Sequence, residues 1–178
     1  MKALVSLAVV TLVSATHASA QDAPVRGTNV PAVGANDALS PQKFADAASA
    51  GHRFEIQSSQ IALRRSSEQG IRAFAEQLLS DHGKADRDLK EAAREQNVVI
   101  RVDFSEDQKN KLKALDDAPN EQFGASFLSL QALTHQESIA IHDRYGKEGP
   151  AGSLKAHALS QLSTLRTHLV RAEGSADE

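Results

Sequence analysis

Four residues of this sequence combine a metal-ligand side chain with a position inside a predicted helix: Glu55, His82, His135 and His168. Each falls inside a different predicted amphipathic helix, on or beside its apolar stripe. Moving an ionisable side chain out of water costs several kcal/mol unless it finds a partner. If these helices share one core, the four groups must hydrogen-bond to one another or share a cation. Three imidazoles and a carboxylate are ligands typical of a first-row divalent metal site.

Other titratable residues nearby have simpler interpretations. Asp81 lies one residue from the stripe, about 100° around the helix, which favours a surface or outer hydrogen-bonding role over ligation. His142 and His157 both lie near the same predicted turn and could face each other. They are interpreted as polar contacts near that turn, and a separate weak metal site is the less favoured alternative. His52 precedes Glu55 by three residues and is expected to border the site, partly exposed. A single histidine in such a place is more often a core residue bonded to a carbonyl or water.

Four long helical segments are expected to position these residues. Their apolar residues recur at three- and four-residue steps, which is the period of an amphipathic helix. Ser40 before Pro41 is a typical helix start. The segments cover about residues 41–66, 68–96, 120–147 and 152–173.

The link between the second and third long helices is different. Residues 98–104 (VVIRVDF) look extended but have no second strand to pair with. Ser105 is expected to cap a helix of about twelve residues that ends before Pro119. The extended part reaches roughly 23 Å and the helix adds roughly 18 Å, enough to run the length of a bundle. The predicted fold is all-α, a ferritin-like four-helix bundle with one long crossover carrying a short extra helix; an up-down bundle with a decorated loop is the alternative.

Counting residues from the turns places the four candidate ligands at similar heights. Glu55 lies twelve residues before the turn near residue 67 and His82 fifteen after it, an offset of about 4.5 Å along the axes. His82 and His135 each follow the start of their helices by fifteen residues, so a crossover that makes those helices parallel puts them level. His168 is offset from His135 by about 6 Å. The spacing therefore predicts one site in the middle of the bundle.

Composition excludes several classes of function. The chain has 178 residues with no Cys, no Trp and one Tyr, and its many Ala, Leu, Gln, Glu, Lys and Arg residues favour helix. The lack of Cys excludes disulfides, thiolate metal sites and a cysteine nucleophile. The net charge is −3 with both signs interspersed, so nothing indicates a nucleic-acid tract or a polybasic membrane patch. No nucleophile elbow, phosphate loop or nucleotide fingerprint is present, and no catalytic or organic-cofactor residues are assigned.

The N-terminus is predicted to be a targeting segment. Lys2 precedes the apolar residues 3–13, and Ala18-Ser19-Ala20 has the pattern that signal peptidase accepts. We therefore expect a signal peptide over 1–20, a flexible linker over 21–39, a bundle domain over 40–174 and a disordered tail over 175–178. The apolar run is too short to span a bilayer, although an uncleaved membrane-associated helix is the alternative. The expected location is the periplasm or the cell exterior, with no integral membrane segment after cleavage.

Short motifs spread over about residues 41–172 form a recognisable pattern: Phe44-Ala45-Asp46-Ala47-Ala48 with Glu55 downstream, Phe74-Ala75, Asp81-His82-Gly83-Lys84-Ala85, His135, and Leu162-Ser163-Thr164-Leu165-Arg166-Thr167-His168-Leu169. In this pattern the chain resembles a family of exported bacterial proteins known as domain of unknown function 4142. The sequence departs from the family pattern at Leu79-Ser80, where Met is frequent before Asp-His, and at Ser163, where Pro is common. The resemblance implies a ferritin-like bundle and an exported location, but no activity.

Iron oxidation is not expected. Di-iron bundles need a Glu-x-x-His pair on each of two helices, whereas Leu79, Leu165 and Ala132 stand three residues before His82, His168 and His135. A single divalent transition-metal ion is the predicted occupant, with zinc or copper favoured by imidazole-rich ligation and iron allowed.

Three hypotheses for the function follow. The first is an exported metal-binding bundle with Glu55, His82, His135 and His168 as ligands. The second is a non-catalytic envelope-stress or interaction protein in which the same groups form a metal-free polar network. The third, ranked last, is a redox or hydrolytic metalloenzyme, which would need a pocket that reaches the metal from solvent.

Overall fold

The structure, a computed structural model, describes residues 39–174, and this part of the chain is all-α. The predicted signal peptide, nearly all of the linker and the tail over 175–178 lie outside the described residues. The bounds of all four long helices lie within one residue of those predicted. The helices are α1 (Pro41–Arg65), α2 (Gln69–Glu95), α3 (Glu106–Asp116), α4 (Asn120–Glu148) and α5 (Ser153–Gly174).

Local sequence signals set two of the helix starts. The Oγ of Ser40 accepts a hydrogen bond from the backbone N–H of Lys43 at 3.2 Å, and Pro41 occupies the first helical position. Ser105 and Gln108 form a reciprocal capping box at the start of α3. Such caps satisfy N–H groups that have no partner within the helix, and each contributes about 1 kcal/mol.

The long helices form two antiparallel hairpins that pack side by side. Helix α1 pairs with α2 and α4 pairs with α5, while α1 also packs against α4 and α2 against α5. Phe44 near the start of α1 stacks on Tyr145 near the end of α4, with ring centroids 4.1 Å apart. The Oγ of Ser153 at the start of α5 donates to the carbonyl of Ala92 near the end of α2 at 2.8 Å. Helices α2 and α4 therefore run parallel, and the predicted four-helix bundle with one crossover is confirmed.

The crossover runs beside α1. It leaves α2 through Asn97, which adopts a positive φ of 56°, and no strand occurs in it or elsewhere in residues 39–174. The side chain of Gln42 donates to the carbonyl of Val99 at 2.8 Å, and the backbone N–H of Arg101 donates to Asp46 at 2.7 Å. Helix α3 then packs against α1 and α4, so the crossover returns the chain to the other end of the bundle.

The apolar core is divided into two clusters. The distal cluster lies towards the α1–α2 turn and includes Phe54, Ala62, Ile71, Phe74, Leu78, Phe123, Phe127 and Ala172. The proximal cluster lies towards the α4–α5 turn and includes Phe44, Ala45, Ala48, Leu89, Ala92, Tyr145, Leu154 and Ala158. Burying each large apolar side chain contributes about 1.5–3 kcal/mol. Buried polar residues, six histidines among them, lie on the long helices between or beside the two clusters, and the candidate site is built from those histidines.

Among residues 39–174, no helix combines the length and the apolar character needed to cross a membrane.

Candidate metal centre

Every histidine among residues 39–174 is buried between or beside the two apolar clusters. The largest exposed fraction among them is 7%, at His157. They come from all four long helices and form two groups of three, in which one nitrogen from each residue lies within 4.8 Å of the others. The first triad is His82, His135 and His168, and the second triad is His52, His142 and His157. The interior of the bundle thus contains two neighbouring groups of imidazoles, and on α5 His157 and His168 lie about 16 Å apart along the helix axis.

The first triad contains three of the four residues predicted as ligands. The Nε2 atoms of His82 and His135 are 3.4 Å apart, and the Nε2 of His135 is 3.2 Å from the Nδ1 of His168. The ring centroids form a nearly equilateral triangle with sides of 5.2 to 5.5 Å. The helix period and the turn lengths bring these rings together from α2, α4 and α5, as the counting of residues predicted; their role as ligands stays a prediction.

Hydrogen bonds to groups outside the triad show which ring nitrogen carries the proton in His135 and in His168. The Nδ1 of His135 lies 2.8 Å from the carbonyl oxygen of Gln131 and must donate to it. The Nε2 of His168 lies 2.9 Å from a carboxylate oxygen of Asp81 and donates to that group. A neutral imidazole carries only one proton. The Nε2 of His135 and the Nδ1 of His168 are therefore both unprotonated in the neutral rings, although they face each other at 3.2 Å.

Burial opposes an additional proton in this cluster. Desolvation lowers the pKa of His135 to about 4, even though its bond to the Gln131 carbonyl acts in the opposite direction. Desolvation also lowers the pKa of His168, against the opposing effect of Asp81, and it holds the pKa of His82 well below its usual value. At neutral pH the rings are uncharged, so an imidazolium proton does not link the two facing lone pairs.

Glu55 lies at a different edge of the first triad. Its Oε1 is 3.8 Å from the Nδ1 of His135, the nitrogen that already donates to Gln131, and it accepts a hydrogen bond from Thr134. Desolvation raises the pKa of Glu55 to about 8, so the contact joins two neutral groups at pH 7 and is no ion pair. Glu55 is absent from both groups of converging atoms in the described residues. Of the four predicted ligands, it is the one that the structure does not bring to the common point.

The second triad was only partly anticipated from the sequence. His142 and His157 do lie near each other, with ring centroids 6.2 Å apart. His52 was expected to be partly exposed, which is wrong: it is 2% exposed and its centroid lies 6.0 Å from that of His142 and 6.1 Å from that of His157. The sequence did contain the information needed to predict the burial of His52, because His52 precedes residue 67 by fifteen residues and His82 follows it by fifteen. Counting residues from the turn therefore places these two histidines at the same height in the bundle.

One contact joins the two triads. The Nδ1 atoms of His52 and His82 lie 3.1 Å apart, a distance that accommodates one N–H and one lone pair. A continuous series of contacts therefore runs from Asp81 through His168, His135 and His82 to His52. Asp81 takes the outer hydrogen-bonding role that its position beside the helical stripe indicated.

A cavity of about 80 Å³ lies beside Glu55, outside both histidine triads. Glu55, Thr134, Lys111 and Glu137 are among its lining residues, and none of the six described histidines lines it. The cavity thus ends at Glu55, whose Oε2 has no hydrogen-bond partner among the described residues.

Fold and site together define a class: an all-α four-helix bundle with two groups of buried histidines in its interior. The sequence matches the family described as domain of unknown function (DUF4142) over residues 28–174, and the chain belongs to that family. A solved structure, that of a DUF305 fragment from Deinococcus radiodurans, is similar with a TM-score of 0.69 and 16% sequence identity, covering 77% of this chain and 95% of that one. At this identity the likeness shows the fold alone. Comparison with curated proteins gave no match.

Proposed function

We propose that this protein binds a divalent transition-metal ion in the bundle core through the Nε2 of His82, the Nε2 of His135 and the Nδ1 of His168. The observation that carries the proposal is the 3.2 Å contact between His135 and His168. Both nitrogens have their ring protons engaged elsewhere, so two lone pairs face each other. A shared cation turns this unfavourable contact into two bonds.

The spacing of the nitrogens supports this assignment. Nitrogen ligands about 2.05 Å from a tetrahedral zinc ion are about 3.3 Å from one another. The two closest separations in the first triad are 3.4 and 3.2 Å. Three imidazoles leave one position of a tetrahedron for water or another small ligand, and imidazole-rich ligation favours zinc or copper over harder ions.

The outer partners of the three rings also fit a metal site. Metal-bound histidines usually donate their second ring N–H to a carboxylate, a carbonyl or another acceptor, which fixes the ring and raises its basicity. Here His168 donates to Asp81, His135 donates to Gln131, and the Nδ1 of His82 lies beside that of His52. Each ring therefore has an outer partner at the nitrogen that is not used for ligation.

Binding of the ion is a better interpretation than catalysis. The three rings are at most 3% exposed, and the neighbouring cavity is lined by Glu55 rather than by the histidines. A buried site of this kind suits retention of an ion more than turnover of a dissolved substrate. The proposal includes export to the periplasm or the cell exterior, which rests on the pattern of residues 1–20.

A metal-free polar network is the second candidate, and the unbroken series of contacts from Asp81 to His52 favours it. In that arrangement His82 donates through its Nε2 to His135 at 3.4 Å. The network still leaves the contact between His135 and His168 without a proton. The protein would then be a structural or interaction module of the cell envelope, stabilised by its own hydrogen bonds.

Metal analysis of the untagged protein tests the proposal. After reconstitution with Zn²⁺ and dialysis, mass spectrometry of the metal content should show that His168→Ala holds one equivalent fewer than the wild type. Thr167→Ala is the matched control, since Thr167 is an exposed neighbour on the same helix. Less than about a tenth of an equivalent in the wild type, or equal zinc in His168→Ala and the wild type, would reject the site.

Thermal unfolding separates the two candidates further. An ion that binds only the native state at 100 times its Kd adds about 2.7 kcal/mol to the free energy of unfolding. A chelator should therefore lower the Tm of the wild type by more than that of His168→Ala, which lacks the ion of the first triad. A metal-free network in the first triad predicts the same change in Tm for both proteins.

A further inference from the structure

We propose a second metal-ion site formed by His52, His142 and His157, separate from the first triad and placed towards the α4–α5 turn. The three residues come from α1, α4 and α5. Its ligand class is again a borderline divalent cation such as Zn²⁺ or Co²⁺, since imidazole is the donor at every corner.

The strongest observation is that all three rings of the second triad have a buried nitrogen without a hydrogen-bond partner. The Nε2 atoms of His52, His142 and His157 are all buried, and none has a hydrogen-bond partner among the described residues. Buried polar atoms are paired in the great majority of cases, and a group left unpaired lowers stability. Three such atoms on three neighbouring rings indicate one missing occupant rather than three independent defects.

The ring proton of His142 lies on the nitrogen that faces away from the other two rings of the second triad. Its Nδ1 lies 2.8 Å from the carbonyl oxygen of Ser138 and donates to it, so its Nε2 carries a lone pair. The Nδ1 atoms of His52 and His82 share one hydrogen bond, so one of the two Nε2 atoms of this pair carries a proton while both rings are neutral. Occupation of both sites therefore releases that proton to solvent, as metal binding to a protonated ligand does, and one proton remains between the two Nδ1 atoms.

The geometry is close to that of a bound ion but wider than in the first triad. One nitrogen from each residue lies within 4.8 Å of the other two, and the ring centroids are 6.0 to 6.2 Å apart. Contraction to nitrogen separations of about 3.3 Å requires each ring to move by roughly 1 Å or less. Rotation of the side chains supplies that movement without a change in the helices.

A trapped water molecule is the rival occupant. It would donate to two of the rings and accept from the third. The experiment below decides between the two occupants.

Titration of the metal-free, untagged protein with Co²⁺ tests the second site. Tetrahedral Co²⁺ with nitrogen ligands absorbs visible light, so the signal counts ions bound by imidazole. We expect the wild type to saturate at two equivalents, and both His157→Ala and His168→Ala to saturate at one. Ser160→Ala is the control for His157→Ala, because it is an exposed substitution on the same helix and should keep two. The two-ion count rests on the proposed function.

The outcomes separate the two sites. If the wild type binds one equivalent that His157→Ala loses and His168→Ala keeps, the second site stands and the first fails. If the one equivalent is lost only in His168→Ala, or in both variants, the second site is rejected. No binding at all in the wild type rejects both. Far-UV circular dichroism verifies the fold, and His157→Gln, which keeps a polar side chain of similar size, replaces any His157→Ala protein that does not fold.

Discussion

The Nδ1 of His52 lies 3.1 Å from the Nδ1 of His82, and this contact connects the two histidine triads. It joins α1 to α2 within the first hairpin. His52 is therefore both a member of the second triad and the outer partner of a member of the first. His142 belongs to the second triad alone, which makes the two residues a matched pair for substitution.

We expect His52→Ala to affect both sites and His142→Ala to affect one. Each variant should lose one equivalent of zinc. In His52→Ala the remaining ion should also bind about 10-fold more weakly, because loss of the outer partner of a metal-bound histidine typically reduces affinity by 10- to 100-fold. Competition with a chromophoric chelator measures this affinity. Equal residual affinities in the two variants would show that the contact with His82 does not support ligation.

We expect Asp81→Asn to weaken binding of the ion in the first triad by about 10- to 100-fold without unfolding the protein. The asparagine can still accept from His168, but it no longer supplies a negative charge to the ring. The side chain of Asp81 is 38% exposed, so the change should alter the Tm of the metal-free protein little. Asp88→Asn is the control: Asp88 pairs with Lys84 on the surface of the same helix. An affinity as high as that of the control would contradict the role of Asp81.

We expect Glu55→Gln to keep the wild-type zinc content. Glu55 lies at the Nδ1 edge of His135, away from the nitrogens that converge, and the neutral amide resembles the protonated acid that its raised pKa indicates at pH 7. The same metal analysis measures the outcome. Loss of a full equivalent would restore Glu55 as a ligand, as the sequence alone had suggested.

We expect the metal-free protein to be most stable near pH 6.5. Burial lowers the pKa of His135 and of His157 from 6.5 to about 4. Below pH 6.5 the unfolded chain binds protons that the native state does not, so each such group removes up to about 1.4 kcal/mol per pH unit as the pH falls.

The titration of Glu55 has the opposite effect on the free energy of unfolding, and this effect dominates above pH 6.5. Its pKa is raised from 4.5 to about 8, so the native state retains a proton that the unfolded chain has released, and the free energy of unfolding falls as the pH rises through this interval. Tm measured by calorimetry between pH 4 and 9 should show a maximum. In Glu55→Gln the decline on the alkaline side should disappear while the acid side remains. A wild-type Tm that is constant from pH 5 to 8 would contradict both assignments.

The long helices were predictable because their apolar residues keep one helical period from the start of each helix to its end. In α2 the stripe from Ile71 through Leu78 to Leu89 is buried as a single face, and no other period fits those positions. The convergence of His82 with His135 was predictable as well, because both lie fifteen residues beyond the start of parallel helices.

The positions around the helix axis were harder to predict. Glu55 and His52 differ by three residues, or about 4.5 Å in height and about 60° in direction. Height alone could not decide which of them faces His82, and the structure places His52 there. Whether a buried histidine donates to a carbonyl or offers a lone pair also depends on contacts between helices, such as that of His168 with Asp81. Periodicity carries no information on those contacts.

Both histidine triads draw residues from both helical hairpins, and this has a mechanical consequence. Ligands of the first triad come from α2, α4 and α5, and those of the second from α1, α4 and α5. Each bound ion would link the two hairpins to each other. Local opening of the bundle, and with it cleavage by proteases, would then depend on the concentration of available metal ions.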